Sequence, residues 1–511
     1  MNKGFTTIEV IIAMTIMVII LSSVVLISFG NQMSLAGSET AAEALKRAQA
    51  LVERQQALAR KDFNLVNATS SSDGFYTNTI SVDLYPDFLT KEVTVEVGWE
   101  NERGLEQSVE LKTIVTDFSS SAGGSTCNSS LSGDWTDPEI VTYELSGTGL
   151  LPVSESGIYP VTDIDAYRGR LYVTVERTSA NINKTFFVFD ISNQLSTPSY
   201  LGGVDNAPTT VDGFNAVHVV EKEGARYAFL ANAHDSDFND CSEGRSCSQL
   251  QVVDVSSPSF TWDPPIAGLK LATSTGPMVN GSGGQAVGKS IFYRGGSVYR
   301  GLSRTSSGPE FQVINVYDPL TPVWMGSWPS PGTSSLQPIN ALQVRGGYAY
   351  LVHPTNSQPE QLTVLNVVDP RNPVRVSGFH AGDNAKNGKS LSLVGDKLYL
   401  GRTDNITSAN PEFHILNISN PTAVVPAALG DRVIDDSIND LLVRSNLSFL
   451  LTNDSLEILR TDDPSDIVPH ASIPMPFGSE GRTLDCEGNY LYVGSVDASN
   501  NGYITVITGG P

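Results

Sequence analysis

Six histidines, His218, His234, His353, His380, His414 and His470, are the side chains best suited to general acid or base work near neutral pH. Their scattered spacing provides no H-E-x-x-H or other paired arrangement, and they read as surface positions on strands and loops. No G-x-S-x-G elbow, P-loop or paired acidic motif accompanies them. One acidic loop is a candidate cation site. In HDSDFNDCSE, Asp235, Asp237 and Asn239 offer alternate oxygen ligands, as the first half of a calcium loop does. Asp240 stands where that loop wants glycine, and Ser246 where it wants a bidentate glutamate. The expectation is a solvated acidic loop and no cofactor, with calcium as the alternative. Four cysteines complete the set. Cys241 and Cys247 share one loop at a spacing that allows a bridge, while Cys127 and Cys486 are far apart in sequence. Zinc is a poor use for them, because neither a second C-x-x-C nor a nearby histidine pair supplies a tetrahedral set.

The remaining chemical oddity is Glu9, the one charge in an apolar run over residues 8–29. About 20 apolar residues suffice to cross a bilayer as a helix, and a carboxylate inside such a span costs several kcal/mol. A secretory signal peptide fits poorly, because the run is long and no A-x-A-like site closes it. The stretch Lys3-Gly4-Phe5-Thr6-Thr7-Ile8-Glu9 resembles the leader of a type IV prepilin. The resemblance implies cleavage after Gly4 by a prepilin peptidase, methylation of Phe5, and assembly through Glu9. Phe5 would then carry a free amine that Glu9 of a neighbouring subunit can neutralise, setting register between bundled helices. Lys3 favours a cytoplasmic head, placing everything after residue 30 outside. The implied location is the inner membrane as a single pass before assembly, then a pilus or the cell surface.

Composition bounds the rest. The chain has 511 residues, a formal charge of -23, 45 Gly and 28 Pro, which suggests several domains and much turn-rich β structure. So acidic a surface repels phosphates and argues against a nucleic-acid ligand.

The elements that position these residues follow in order. From 38 to 61 apolar residues including Ala41, Ala44, Leu45, Ala48, Leu51, Val52, Leu58 and Ala59 recur at steps of three and four, predicting an amphipathic helix. Continuous with the apolar run, it would form a pilin-like helix over residues 5–62, about 85 Å long, softened near Gly30 and Gly37. A coiled linker is the alternative for its second half. Residues 63–118 change to a period of two. VTVEVGW and SVELKTIVTDF flank the turn NERG, predicting a hairpin that joins an earlier strand near 79–84 in a small antiparallel sheet. A long helix packed on a small sheet resembles a pilin head. Residues 119–136 form a Ser/Gly-rich linker.

From 137 to 511 the sequence repeats. An apolar strand running into Asp or Asn and then a proline turn occurs as VFDISNQLSTP, VVDVSSP, VINVYDPLTP, VLNVVDPRNP and ILNISNP, with weaker copies EILRTDDP and ITVITGGP. Each follows another strand, such as RLYVTV or YAYLVH. Earlier strands such as TDIDAY and NALQVR, and later ones such as PVWMGSW, raise the count to four per unit. Seven four-stranded units predict a seven-bladed β-propeller, solenoid stacking being the alternative. The pattern resembles the bacterial LVIVD-type repeat propellers. The last unit ends after its third strand, and EIVTYELSGTG precedes the first, so the N-terminal strand should complete the last blade. That closure would bring Cys127 to Cys486 and leave Cys241 with Cys247.

The implied fold is mainly β, with an N-terminal pilin-like helix and sheet. The implied function is a minor type IV pilin that displays the propeller, at the pilus tip, for adhesion or recognition of a surface, polymer or protein. Its other partners would be pilins or pseudopilins. Two alternatives stand: a pseudopilin of a type II-like secretion system, and a membrane-tethered propeller enzyme.

Overall fold

The computed structural model describes residues 17, 40–59, 66–84, 90–100, 104–116, 127–128, 131–155, 157–176, 184–193, 196–204, 213–233, 250–257, 267–269, 287–303, 309–329, 337–354, 360–382, 386–404, 410–424 and 429–511. The chain divides into two compact units, Met1–Phe118 and Ser119–Pro511. It is mainly β, with eight antiparallel sheets of four strands each among the described residues.

In the first unit a helix over residues 40–59 lies against one sheet. Ala44 and Ala48, both fully buried, meet Val93, Val95 and Val97, which alternate along the strand Thr90–Glu100. Small residues on the helix let it approach the sheet closely. Two expectations need correction. Leu45 is exposed, while Gln55 is buried in the face expected to be apolar. Arg47 reaches Asp73 at 2.6 Å and stacks 4.5 Å over the Tyr76 ring, holding the first hairpin. The sheet also has a fourth strand, Thr69–Asp73, at its edge. Its sequence, TSSSD, lacks the apolar alternation by which a strand is recognised.

The second unit contains seven sheets, here blades I to VII. Blade I comprises Val161–Tyr167, Arg170–Val175, Phe186–Asp190 and Ser199–Val204 in that order. The innermost strands of blades II to VII are Phe214–Lys222, Gly288–Arg294, Ala341–Arg345, Gly388–Val394, Ile438–Arg444 and Glu480–Glu487. Each packs against the next, and Glu480–Glu487 packs against Val161–Tyr167, so the seven sheets form a closed propeller-like ring. Seven apolar clusters lie between successive blades. Tyr172 and Phe186 of blade I meet Phe214 and Val217 of blade II, for example, and Val173 and Phe187 of blade I meet Tyr492 and Val496 of blade VII.

Blade VII is made from both ends of the unit. Asp134–Glu144 pairs with Gly502–Gly510 in antiparallel register, Tyr503 opposite Glu144 and Thr508 opposite Glu139. The register shifts between Thr508 and Gly510, and Pro138 falls within the shifted stretch, where a residue without an N–H is tolerated. Trp135, 2% exposed, sits edge-on to Phe449 of blade VI. Cys127 and Cys486 are joined by a disulfide, and Asn128 N donates to Gly488 O at 2.9 Å.

Among the described residues no helix is long and apolar enough to cross a membrane. The expected span 8–29 lies outside the described residues apart from Met17, as do Gly4, Phe5 and Glu9. Asp235, Asp237, Asn239, Cys241 and Cys247 also lie outside them.

Candidate functional site: the central channel

The ring must satisfy the inner edge of every sheet, a row of N–H and C=O groups with no further strand to pair with. Side chains of one blade do this for the next. The outgoing donors are Thr162 Oγ1 to Phe214 O at 2.5 Å, Asn215 Nδ2 to Gly288 O at 2.8 Å, and Ser290 Oγ to Ile339 O at 3.1 Å. They continue with Asn340 Nδ2 to Gly388 O at 2.7 Å, Ser390 Oγ to Ile438 O at 3.3 Å, and Asn439 Nδ2 to Gly481 O at 2.7 Å. Thr483 Oγ1 returns to blade I, donating to Asp163 Oδ1 at 2.9 Å. Every step runs from a polar residue near the start of one innermost strand to its neighbour around the ring.

Carboxylates cap the N–H groups of the same edges. Asp163 accepts from Val217 N at 2.9 Å and Asp165 from Val219 N at 2.7 Å. Asp440 accepts from Leu484 N at 2.8 Å, Asp485 from Ala166 N at 2.6 Å, and Glu487 from Gly169 N at 2.6 Å. In blade IV the neutral Gln343 Oε1 accepts from Leu393 N at 3.1 Å.

These residues surround a cavity of about 260 Å³ on the ring axis. Its lining is divided by charge. Among the described residues, blades III to V contribute Lys289 and Lys389 and no carboxylate, whereas blades VI, VII and I contribute Asp440, Asp485, Asp163 and Asp165, with Arg482 beside them. Removal from bulk water pushes Asp163 up to about 6 and Asp440 up to about 7, against the lowering effect of their N–H donors. Desolvation also raises Asp485 and Asp165, which repel one another. Lys289 and Lys389 are shifted the other way. Desolvation lowers both first, then the like charge of Lys389 acts on Lys289 and that of Arg482 on Lys389.

The histidines correct the surface expectation. His218, His353 and His414 are all buried. His218 Nδ1 lies 3.9 Å from Asp165 Oδ2, but burial pushes His218 down to about 4, so at neutral pH its imidazole is neutral and the contact is not an ion pair. His353 Nε2 bonds Thr363 Oγ1 at 2.8 Å, and His414 Nε2 faces Arg402 Nη1 at 3.2 Å. His380 is exposed and His470 half-buried, and His234 is outside the described residues. Among the described residues no group of three or more His, Cys, Asp or Glu is arranged to hold a metal ion.

Innermost strands such as TDIDAY and NALQVR are legible in the sequence, but the role of their polar first residues is not. The signal was present as a Thr, Asn or Ser just ahead of each apolar run, in TDI, NAV, KSI, NAL, KSL, NDL and RTL.

The class defined by this geometry is a closed ring of four-stranded sheets with a polar axial cavity. No protein-family model matches the sequence, and no curated protein matches it. Several solved structures share parts of the architecture. PorZ, a bacterial surface component of the type IX secretion system of Porphyromonas gingivalis, is 10% identical, with a TM-score of 0.46 over 86% of this chain and 62% of that chain. The AfRom2 CNH domain is 7% identical, with a TM-score of 0.36 over 68% and 94%. A chain of a Saccharomyces cerevisiae complex of Dbp5 with Nup159 and Gle1 is 8% identical, with a TM-score of 0.37 over 75% and 99%. At these values none of the likenesses bears on what this chain does.

Proposed function

We propose that the chain is a minor type IV pilin-like subunit that carries the propeller-like ring outside the cell, at a pilus tip, for adhesion or for recognition of a surface, polymer or protein. The observation that carries this reading is the sequence Lys3-Gly4-Phe5 with Glu9 in an apolar run, followed by a helix over residues 40–59 packed on a small antiparallel sheet. Gly4 and Phe5 would be the processing junction and Glu9 the assembly contact. A ring of seven sheets on a thin filament subunit would crowd neighbours along a shaft, and a terminal position avoids that conflict. The disulfide between Cys127 and Cys486 suits an oxidising compartment beyond the cytoplasm.

The test is immunogold labelling of intact cells with an antibody to the ring. Gold at filament ends, lost in a Gly4→Leu variant that blocks processing, is the expected result. Gold confined to the envelope in both strains would overturn tip display. Glu9→Ala should abolish incorporation into filaments while leaving membrane insertion intact, and incorporation at the wild-type level would remove Glu9 from assembly.

A further inference from the structure

The edge-capping role accounts for the carboxylates of the channel but not for Lys289 or Lys389. Both follow the first turn into an innermost strand, at the position occupied by Asn340 in blade IV and Asn439 in blade VI, where the side chain stitches one blade to the next. In blades III and V the neighbouring Ser290 and Ser390 take over that bond, leaving the lysines free for something else. Among the described residues Lys289 donates one hydrogen bond, to Asn340 Oδ1 at 3.3 Å, and neither lysine has a carboxylate within ion-pair distance, Glu480 acting on Lys389 from farther off. Arg482, the third cation of the lining, is held by Glu480 at 2.9 Å. In a protein of charge -23 these two lysines form a cationic wall of the cavity, and the charge of Lys389 acts against protonation of Lys289, a repulsion that a bound anion would relieve.

The opposite wall narrows the choice of anion. Asp163, Asp440 and Asp485 face the same cavity, each holding a backbone N–H and retaining lone pairs that can accept from a hydroxyl. A polyanion would meet repulsion there. A ligand with a single carboxylate at one end and several hydroxyls at the other meets favourable partners on both sides. We propose that the axial cavity is a binding site for a sugar acid of uronate type, its carboxylate on Lys289 and Lys389 and its hydroxyls toward Asp163, Asp440 and Asp485. A cavity of about 260 Å³ is of the size of one such ring. This inference concerns the ring alone and does not rest on the filament reading.

The test is calorimetric titration of the purified full chain in detergent with glucuronate, glucose and inorganic phosphate. Glucuronate should bind at least ten-fold more tightly than either of the others, and more weakly as salt rises from 50 to 500 mM, since the carboxylate contact is ionic. The K289Q/K389Q double variant should lose at least ten-fold in affinity, with an unchanged melting temperature, and Lys397→Gln, on a hairpin of blade V, should lose nothing. If the double variant melts early, the salt series on the wild type and the two single variants carry the comparison. Absence of glucuronate binding, equal binding of glucose, or full affinity in the lysine variants would overturn the site. Phosphate binding as tight as glucuronate would overturn the sugar-acid assignment. Glu9→Ala should titrate as the wild type does, which separates failure here from failure of pilus display.

Discussion

Asp163 and Asp440 tie blade I to blade II and blade VI to blade VII through backbone N–H groups, yet burial lifts both above the usual carboxylate range, to about 6 and about 7. The consequence for stability has a definite sign. An unfolded aspartate titrates near 3.9, so between about pH 4 and 7 the folded ring binds protons that the unfolded chain has released. This contribution is whole below about pH 4 and is lost as the pH rises through about 6 to 7. Melting temperature should therefore fall between pH 5 and pH 8, and Asp440→Asn should make that fall smaller. An unchanged fall would mean that Asp440 is already ionised at pH 5. Turn aspartates act in the opposite sense at lower pH. Asp190 and Asp463 are held down by hydrogen bonds from Ser192 and Ser465, so their contribution is lost as the pH falls through their lowered values.

Within blades I to V, the repeated marker is a physical device. The Asp or Asn that ends the third strand accepts from the N–H two residues on: Asp190 from Ser192 at 2.8 Å, Asn315 from Tyr317 at 2.7 Å, and Asn417 from Ser419 at 2.8 Å. This turns the chain out of the strand. The apolar residue between them, such as Ile191 or Val316, is buried and extends the ladder to the preceding hairpin. A glycine in the fourth strand receives the proline turn of the following blade. A Cβ on Gly326 would lie 2.3 Å from Pro370 O, and one on Gly430 1.7 Å from Pro464 O. Gly430→Ala should destabilise the ring by about 1–3 kcal/mol through this overlap, read as a lower denaturant midpoint. A midpoint equal to the wild type would show that the fourth strand of blade V can move away freely. Trp135→Ala, which empties a buried site between blades VI and VII, should cost about 3–5 kcal/mol.

Across the whole molecule, closure depends on residues hundreds of positions apart. The strand Asp134–Glu144 completes blade VII, Asn489 Nδ2 donates to Ser132 O at 2.8 Å, and Cys127 is bonded to Cys486 over a sequence separation of 359. So long a covalent loop restricts the unfolded chain by up to about 5 kcal/mol. Cys127→Ser should lower the melting temperature by several degrees while leaving the ring folded, because strand pairing and the blade VI–VII core persist. A melting temperature equal to the wild type would assign closure to those contacts alone.

The sequence by itself determined the repeating β units, their number, and the strand that is extra before the first unit and missing from the last, because an apolar strand, an Asx turn and a proline recur in local order. It also determined the alternating face of Val93, Val95 and Val97 and the helical face of Ala44 and Ala48, since both periods are local. Only the tertiary structure decided what the polar residues do. Thr162, Asn215 and Asp440 look like ordinary surface positions until the next blade presents an unpaired backbone edge to them. The buried histidines and the uncovered Leu45 differ from expectation for the same reason: burial is set by the neighbouring blade or strand, not by residue type. The division of the channel into a lysine half and an aspartate half belongs to no single repeat. It arises when blades III and V are set across the axis from blades VI, VII and I, and ring closure alone makes them face one another.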